Sequence, residues 1–195
     1  RLPVHRRVRV AVFSTGSELV MPGELLPPGG IYNSNRYLLR GLLAALGCEV
    51  EDFGIVPDRL DATREVLRRA AEGHDLILTS GGVSVGEEDH VKPAVEAEGS
   101  LDMWKIAMKP GKPLAYGRVH GAAFIGLPGN PVSSFVTFLL MVRPFLLATQ
   151  GVSEVAPASM QLRADFDWPR PDRRREFLRA RMNAQGGVEL FANQG

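Results

Sequence analysis

Residues 76–89 read LILTSGGVSVGEED, a short apolar run that passes directly into a glycine-rich loop. A run of three or four buried apolar residues is typical of a strand in a parallel sheet, and the glycines after it mark a tight loop. We expect a helix over residues 89–98 to follow. The stretch therefore predicts one strand–loop–helix unit of an α/β fold.

Further strands are expected on both sides of this unit. They are predicted at residues 8–13, 50–56, 103–108, 114–116 and 123–127. Strands that alternate with helices indicate a three-layer α/β domain, in which helices flank a mostly parallel sheet. We assign this domain to residues 1–151.

The helices of this domain carry recognisable end signals. Asn33 or Ser34 can cap a helix that stops near Gly47. Asp61 can cap a second helix, and Asn130-Pro131 opens a long apolar one, with proline at the first helical position. Between the first strand and the first helix, residues 15–32 form a long loop rich in glycine and proline, and such loops are usually functional or mobile.

The pattern changes after about residue 152. Residues 160–166, 176–182 and 188–191 are predicted as strands without intervening helices, with a turn at residues 183–187. We interpret residues 152–195 as the start of an all-β domain that is too small to be complete. The chain is therefore expected to be an excerpt of a longer protein.

Composition excludes several classes of protein. The 195 residues are 45 % apolar and 23 % charged with a net charge of +1, so no overall field favours nucleic acid or an anionic membrane. One cysteine cannot form an internal disulfide. The longest apolar run, residues 135–142, is too short to span a bilayer. A cytoplasmic protein is the simplest interpretation.

Three segments are expected at the carboxyl ends of strands, where open α/β sheets bind ligands. They are residues 14–19, 79–89 and 126–133. Glycines there allow close approach of the backbone, and amide groups beside a helix start can bind a phosphate. A glycine loop of this kind, taken singly, more often reflects simple turn geometry than phosphate binding.

Charged residues near these loops have two interpretations each. Lys109 and Lys112 flank the turn Pro110-Gly111, which can aim both ammonium groups at one small dianion, or they are solvated loop lysines. Glu18 and Asp89 can converge on a Mg²⁺ ion together with substrate phosphates. Asp89 can instead stabilise the start of its helix.

Five motifs in this order carry a resemblance to a known family. They are STGSEL at residues 14–19, IYNSN at 31–35, SGGVSVGEED at 80–89, KPGKP at 109–113 and LPGNPVS at 127–133. Together they resemble the molybdopterin molybdenumtransferases, the MoeA and gephyrin E-domain family. Family members commonly have Asp at the position of Ser17. The serine of this chain therefore removes a negative charge beside Glu18.

The resemblance implies a dimeric enzyme that uses a divalent metal such as Mg²⁺, molybdate and adenylylated molybdopterin to form molybdenum cofactor with release of AMP. The molybdopterin adenylyltransferase would be a possible pathway partner, with no nucleic acid or membrane involved. The metal would be held by Asp89 and Glu18, and the catalytic set would add Lys109 and Lys112. Substrate-binding residues are then expected at Thr15, Ser80, Gly81, Gly82, Ser84, Pro110, Gly111, Pro128, Gly129, Asn130, Pro131 and Ser133.

Three other roles remain open at this point. The chain could belong to the related adenylyltransferases, although these lack the KPGKP turn. It could act as a gephyrin-like scaffold without turnover, or it could be a catalytically silent fragment. We expect the isolated chain to turn over poorly, because family active sites also draw on other domains.

Overall fold

A computed structural model describes residues 4–83 and 90–194. Its centre is a six-stranded sheet. The strands are β1 (Arg9–Thr15), β4 (Glu49–Val56), β5 (Leu76–Ser80), β6 (Gly99–Lys105), β8 (Pro113–Val119) and β9 (Ala122–Leu127). Their order is β4-β1-β5-β9-β8-β6. The first four in this order are parallel, and β8 and β6 complete the edge antiparallel to their neighbours.

Helices cover both faces of this sheet. They are α1 (Ser34–Ala45), α2 (Leu60–Ala71), α3 (Val91–Glu98), α4 (Pro131–Thr137), a π-helical turn (Phe138–Val142) and α5 (Arg143–Thr149). Alternate residues of one strand point to opposite faces of the sheet. Val10 and Val12 therefore pack with α1, the π-helical turn and α5, whereas Ala11 and Phe13 pack with α2 and α3. The predicted three-layer α/β fold is therefore confirmed.

Helix ends agree with most of the capping predictions. The Asn33 side chain accepts the amide of Arg36 at the start of α1, and Gly47 follows the helix with φ +71°. The second helix begins two residues earlier than a cap at Asp61 predicts, at Leu60 after the cap residue Arg59, so Asp61 lies within its first turn. The start of α3 at Val91 is described, but the expected capping role of Asp89 falls outside the described residues.

The helix that contains the apolar run at residues 135–142 extends beyond the run at both ends. Helical structure continues through Pro131–Thr149, a stretch of 19 residues with mean hydropathy 1.7, which meets the length and composition of a membrane-crossing helix. Proline lacks an N–H donor, and the wider π-helical turn directly before it accommodates this loss without ending the helix. Core helices of soluble proteins pass the same test, and Phe138, Val142 and Leu146 are fully buried against the sheet.

One ion cluster joins the layer of α2 and α3 to the sheet. Glu98, almost fully buried, accepts Arg64 Nε at 2.6 Å and Arg68 Nη2 at 2.7 Å. His120 Nε2, in the turn between β8 and β9, lies 3.5 Å from the same carboxylate. Arg68 first, then Arg64, lowers the pKa of Glu98 to about 2, so the cluster favours the folded chain with Glu98 ionised.

Short strands complete the described part of the chain. They are β2 (Leu19–Val20), β3 (Ile31–Tyr32), β7 (Met108–Lys109), β10 (Arg175–Glu176), β11 (Ala180–Met182) and β12 (Val188–Leu190). The β11–β12 hairpin agrees with the predicted turn at residues 183–187. The predicted strand at residues 160–166 is reduced to a single bridge between Ala164 and Val188. The described residues 160–166 contain no further strand pairing, and Met160 is 75 % exposed, so this segment is not packed into a core.

Candidate functional site

The carboxyl ends of three neighbouring strands meet at one edge of the sheet. Register pairs Ser14 of β1 with Ser80 of β5, and Ser80 with Leu127 of β9. The hydroxyls of Ser14 and Ser80 lie 3.3 Å apart in a buried hydrogen bond. The loops that follow these strands are therefore brought together, as the parallel topology requires.

Glycine is required where two of these loops touch. Gly81 has φ +89°, and a Cβ atom there would overlap the carbonyl oxygen of Thr15. At Gly82, with φ +64°, a Cβ atom would lie 2.5 Å from Thr15 Oγ1. The Gly81 amide donates to the Leu127 carbonyl at 3.1 Å. The loop after β5 is thereby held against both of its neighbours.

The loop after β9 ends in a capped helix. The side chain of Asn130 accepts the amide of Ser133 at 3.1 Å, and Pro131 is the first helical residue, as predicted. The Ser134 hydroxyl donates to the carbonyl of Pro128. These bonds fix the backbone of residues 128–131 opposite Gly81.

The start of α1 closes the third side of the site. Asn35 donates from Nδ2 to the carbonyl of Gly129 at 2.8 Å, a bond between residues 94 apart in the chain. The sequence predicts Asn33 as a helix cap, but neither Asn33 nor Asn35 is among the predicted site residues. The signal that could have found them was available, because the cap follows a long loop at the ligand-binding edge of the sheet.

These elements enclose a pocket of about 480 Å³. Its wall is made by backbone of the three loops, by the start of α1 and by apolar side chains of β2 and β3. The lining residues are Thr15, Glu18, Leu19, Ile31, Tyr32, Asn33, Ser34, Asn35, Ser80, Gly81, Gly129, Asn130 and Pro131.

Three buried polar atoms of this wall have no hydrogen-bond partner within residues 4–83 and 90–194. They are Thr15 Oγ1, Asn33 Nδ2 and Asn35 Oδ1. Buried polar groups are nearly always paired, and an unpaired one costs about 1–3 kcal/mol. All three residues line the same pocket, so the uncompensated polar groups of the described chain are concentrated at this site.

Glu18 stands at the rim of the pocket. Its side chain is exposed, and its carbonyl accepts the Ile31 amide at 2.8 Å, which anchors the long loop. Among the described residues no group of three or more metal-ligating side chains occurs, and Glu18 is the one carboxylate that lines the pocket. Asp89 and Ser84, both expected in the site, lie outside the described residues.

The two lysines of the KPGKP turn do not line the pocket. Register places Lys109 beside Glu176, and its ammonium lies 2.9 Å from Glu176 Oε1 and 3.9 Å from Asp172 Oδ2. Lys109 is the main cause that lowers the pKa of Glu176 below its usual value. Lys112 is exposed and has no ion pair in the part of the chain that the structure describes.

The turn itself packs on the long helix. Gly111 has φ +107°, and a Cβ atom there would lie 2.5 Å from Thr137 Cγ2. Gly111 therefore packs against the last residue of α4, whereas the pocket is lined by Asn130 and Pro131 at the start of that helix. The expected convergence of both ammonium groups on one anion stays a prediction.

Comparison with known proteins agrees with this architecture. Residues 11–148 match the family model of the probable molybdopterin binding domain. A molybdopterin molybdenumtransferase of Haemophilus influenzae is 42 % identical over 95 % of this chain and 47 % of its own length. The chain spans about half the length of the curated relatives it matches.

Solved structures show the same fold. A crystal structure of the molybdopterin biosynthesis MoeA protein from Pyrococcus horikoshii has a TM-score of 0.68 at 36 % identity over 75 % of this chain and 36 % of its own. Another crystal structure of a molybdopterin biosynthesis MoeA protein, from Pyrococcus horikoshii OT3, has a TM-score of 0.75 at 25 % identity, over 97 % of this chain and 45 % of its own.

Proposed function

The chain belongs to the family of the probable molybdopterin binding domain, and from this premise we propose that it is the substrate-binding part of a molybdopterin molybdenumtransferase. Such an enzyme inserts molybdate into adenylylated molybdopterin and releases AMP. Relatives that carry the molybdenumtransferase name over 95 % of this chain support that role over an adenylyltransferase-like or scaffold role.

One observation carries the proposal. The pocket of about 480 Å³ is lined by three residues whose buried polar atoms have no partner in the described part of the chain, beside two glycine-containing loops. An adenylylated pterin offers phosphate groups and polar heterocycles together. A wall that mixes glycine backbone, side-chain amides and apolar surface suits such a ligand.

The residues of the pocket would bind and orient the substrate. Backbone near Gly81 and Gly129, with the Ser80 hydroxyl, would contact the phosphate groups, because both glycines keep this wall free of side chains. Thr15 would add a hydroxyl from the neighbouring loop. Molybdate and the dithiolene would supply the chemistry of insertion, while the protein positions them.

Charged residues of the site would act on the anions. Mg²⁺ commonly binds one or two carboxylates together with substrate phosphates and water, and it would polarise the phosphoanhydride. We assign its ligands to Glu18, at the pocket rim, and to Asp89. Lys109 and Lys112 would bind molybdate, a compact dianion that suits two ammonium groups.

The longer enzyme would contribute further parts. We assign residues 1–151 to the molybdopterin-binding domain and residues 152–195 to the start of a C-terminal β-barrel domain. We propose that the parent enzyme is a cytoplasmic homodimer and that the adenylyltransferase of the same pathway delivers its substrate. Turnover by the isolated chain is expected to be poor.

Molybdate-dependent AMP release from adenylylated molybdopterin tests the proposal. The full-length protein would be assayed with and without Mg²⁺, as wild type and as the variants Asp89→Asn and Lys112→Ala, with Gln185→Ala as a control far along the chain. Loss of a charged contact of about 1.5–3 kcal/mol predicts a fall in rate of roughly 10- to 100-fold.

The outcomes separate the activity from the residues. Release that needs Mg²⁺ and both side chains supports the whole assignment. If the wild type releases no AMP, the proposed activity is wrong. If both variants match the wild type, the activity stands and the residues are wrong.

A further inference from the structure

Two side-chain amides at the start of α1 are held in fixed orientations. Asn33 Oδ1 accepts the backbone N–H of Arg36 at 3.2 Å. Asn35 Nδ2 donates to the carbonyl oxygen of Gly129 at 2.8 Å. Each amide must place the matching atom toward its protein partner, so neither can exchange its oxygen and nitrogen without losing that bond.

The remaining atom of each amide is therefore defined chemically. Within the described residues, the donor Nδ2 of Asn33 and the acceptor Oδ1 of Asn35 have no hydrogen-bond partner. The two residues are 1 % and 6 % exposed, and both line the pocket. A ligand in this pocket that carries one acceptor and one donor would satisfy both atoms.

Apolar side chains lie beside these two amides. Leu19 and Ile31 are paired across β2 and β3, and both line the pocket. Tyr32 follows, with its hydroxyl donating to the Glu24 carbonyl at 3.2 Å. Ile31 and Tyr32 are 53 % and 45 % exposed, so their apolar surface is open to a ligand. Such a surface favours a flat ring.

The glycine loops differ in chemistry from this side of the pocket. Gly81 and Gly129 present backbone without side chains, which suits a phosphate. A phosphate only accepts hydrogen bonds when ionised, so it cannot satisfy Asn35 Oδ1. The acceptor of Asn35 needs a hydrogen-bond donor from the ligand, such as the N–H of a nitrogen heterocycle.

We infer that Asn33 and Asn35 bind the polar edge of a nitrogen heterocycle that carries a hydrogen-bond acceptor next to an N–H donor. Asn33 Nδ2 donates to the acceptor of the ring, and Asn35 Oδ1 accepts from its N–H. This inference deepens the proposed function, since adenylylated molybdopterin contains two such heterocycles, a pterin and an adenine. The glycine loops hold the phosphate that links them.

Substitution of Asn33 tests the inference most cleanly. Asn33→Ser keeps an oxygen that can cap α1 but replaces the amide donor Nδ2 by a hydroxyl on a shorter side chain. Asn35→Ala removes the acceptor together with the bond to Gly129, and Gln185→Ala is the matched control. Binding of pterin-6-carboxylate, AMP and inorganic phosphate to the chain would be measured by titration calorimetry for the wild type and each variant.

We expect Asn33→Ser to weaken binding of one heterocycle about 3- to 10-fold, as for loss of one neutral hydrogen bond, and to leave phosphate binding unchanged. The probe that weakens, pterin or AMP, identifies the ring. Asn35→Ala should weaken the same probe at least as much.

Two results would overturn the inference. One is unchanged heterocycle binding in Asn33→Ser, and the other is an equal loss for phosphate and both heterocycles, which would mean that the amides only support the loops. AMP release by the full-length wild type reports separately on the proposed function. If the wild type releases AMP while Asn33→Ser binds both heterocycles as tightly as the wild type, the heterocycle contact is wrong and the proposed function stands.

Discussion

Replacement of Gly81 by alanine tests how the pocket is built. Gly81 has φ +89°, a conformation that costs a residue with a Cβ atom about 1–2 kcal/mol. The new Cβ would also overlap the Thr15 carbonyl oxygen, so the loop must shift. We expect Gly81→Ala to lower the free energy of unfolding by at least about 1–2 kcal/mol.

Gly129 supplies the matched control from the facing loop. An added Cβ there would lie 3.8 Å from Gly81 Cα, an ordinary contact, and its φ is not in the left-handed region. Gly129→Ala should therefore change stability by less than about 0.5 kcal/mol.

Thermal unfolding of both variants beside the wild type measures the difference. At about 2–4 °C per kcal/mol for a chain of this size, Gly81→Ala should melt about 2–8 °C below the wild type. Phosphate binding should fall in the same variant, because the shifted loop no longer faces the pocket. Equal melting temperatures for the two alanine variants would refute the steric reasoning.

Two further predictions concern stability. Arg68 and Arg64 hold the pKa of Glu98 at about 2 in the folded chain, below its usual 4.5. The ionised carboxylate therefore stabilises the fold above about pH 4.5, and this contribution is lost as pH falls toward 2. In urea titrations, the free energy of unfolding of the wild type should be well above that of Glu98→Gln at pH 7, and the difference should vanish near pH 2. A difference that does not change with pH would contradict this prediction. Phe124 is fully buried in the core, so Phe124→Ala should cost about 3–5 kcal/mol in the same assay. A decrease in the free energy of unfolding below about 1 kcal/mol would show that neighbouring side chains fill the cavity.

Local patterns in the sequence predicted the frame of the molecule. Alternating strands and helices indicated three layers, and the caps Asn33 and Asn130 follow from short-range chemistry that the structure retains. Since parallel strands end at one edge, the meeting of Ser14 with Ser80 also followed from topology. These features depend on residues close in sequence or on one general rule.

Contacts between distant segments were not predictable in the same way. The bond from Asn35 to Gly129 depends on how α1 packs beside the loop after β9, and no local pattern sets that distance. The helix that runs through Pro144 depends on one π-helical turn, which local propensity does not reveal. Tertiary packing decided both.

The register of β7 against β10 gives the two lysines of the turn different positions. Lys109 already faces Glu176 at 2.9 Å, and Trp168 Nε1 donates to the same carboxylate at 2.7 Å. Lys112 has no ion pair within the described residues, so it can meet an anion without displacing a carboxylate. The Lys109 side chain is half-exposed, but that of Glu176 is only 9 % exposed, so moving Lys109 to a dianion would leave a nearly buried carboxylate without its cation. The larger loss of activity is therefore expected from Lys112→Ala, and Glu176→Gln should raise the affinity for molybdate if Lys109 also takes part.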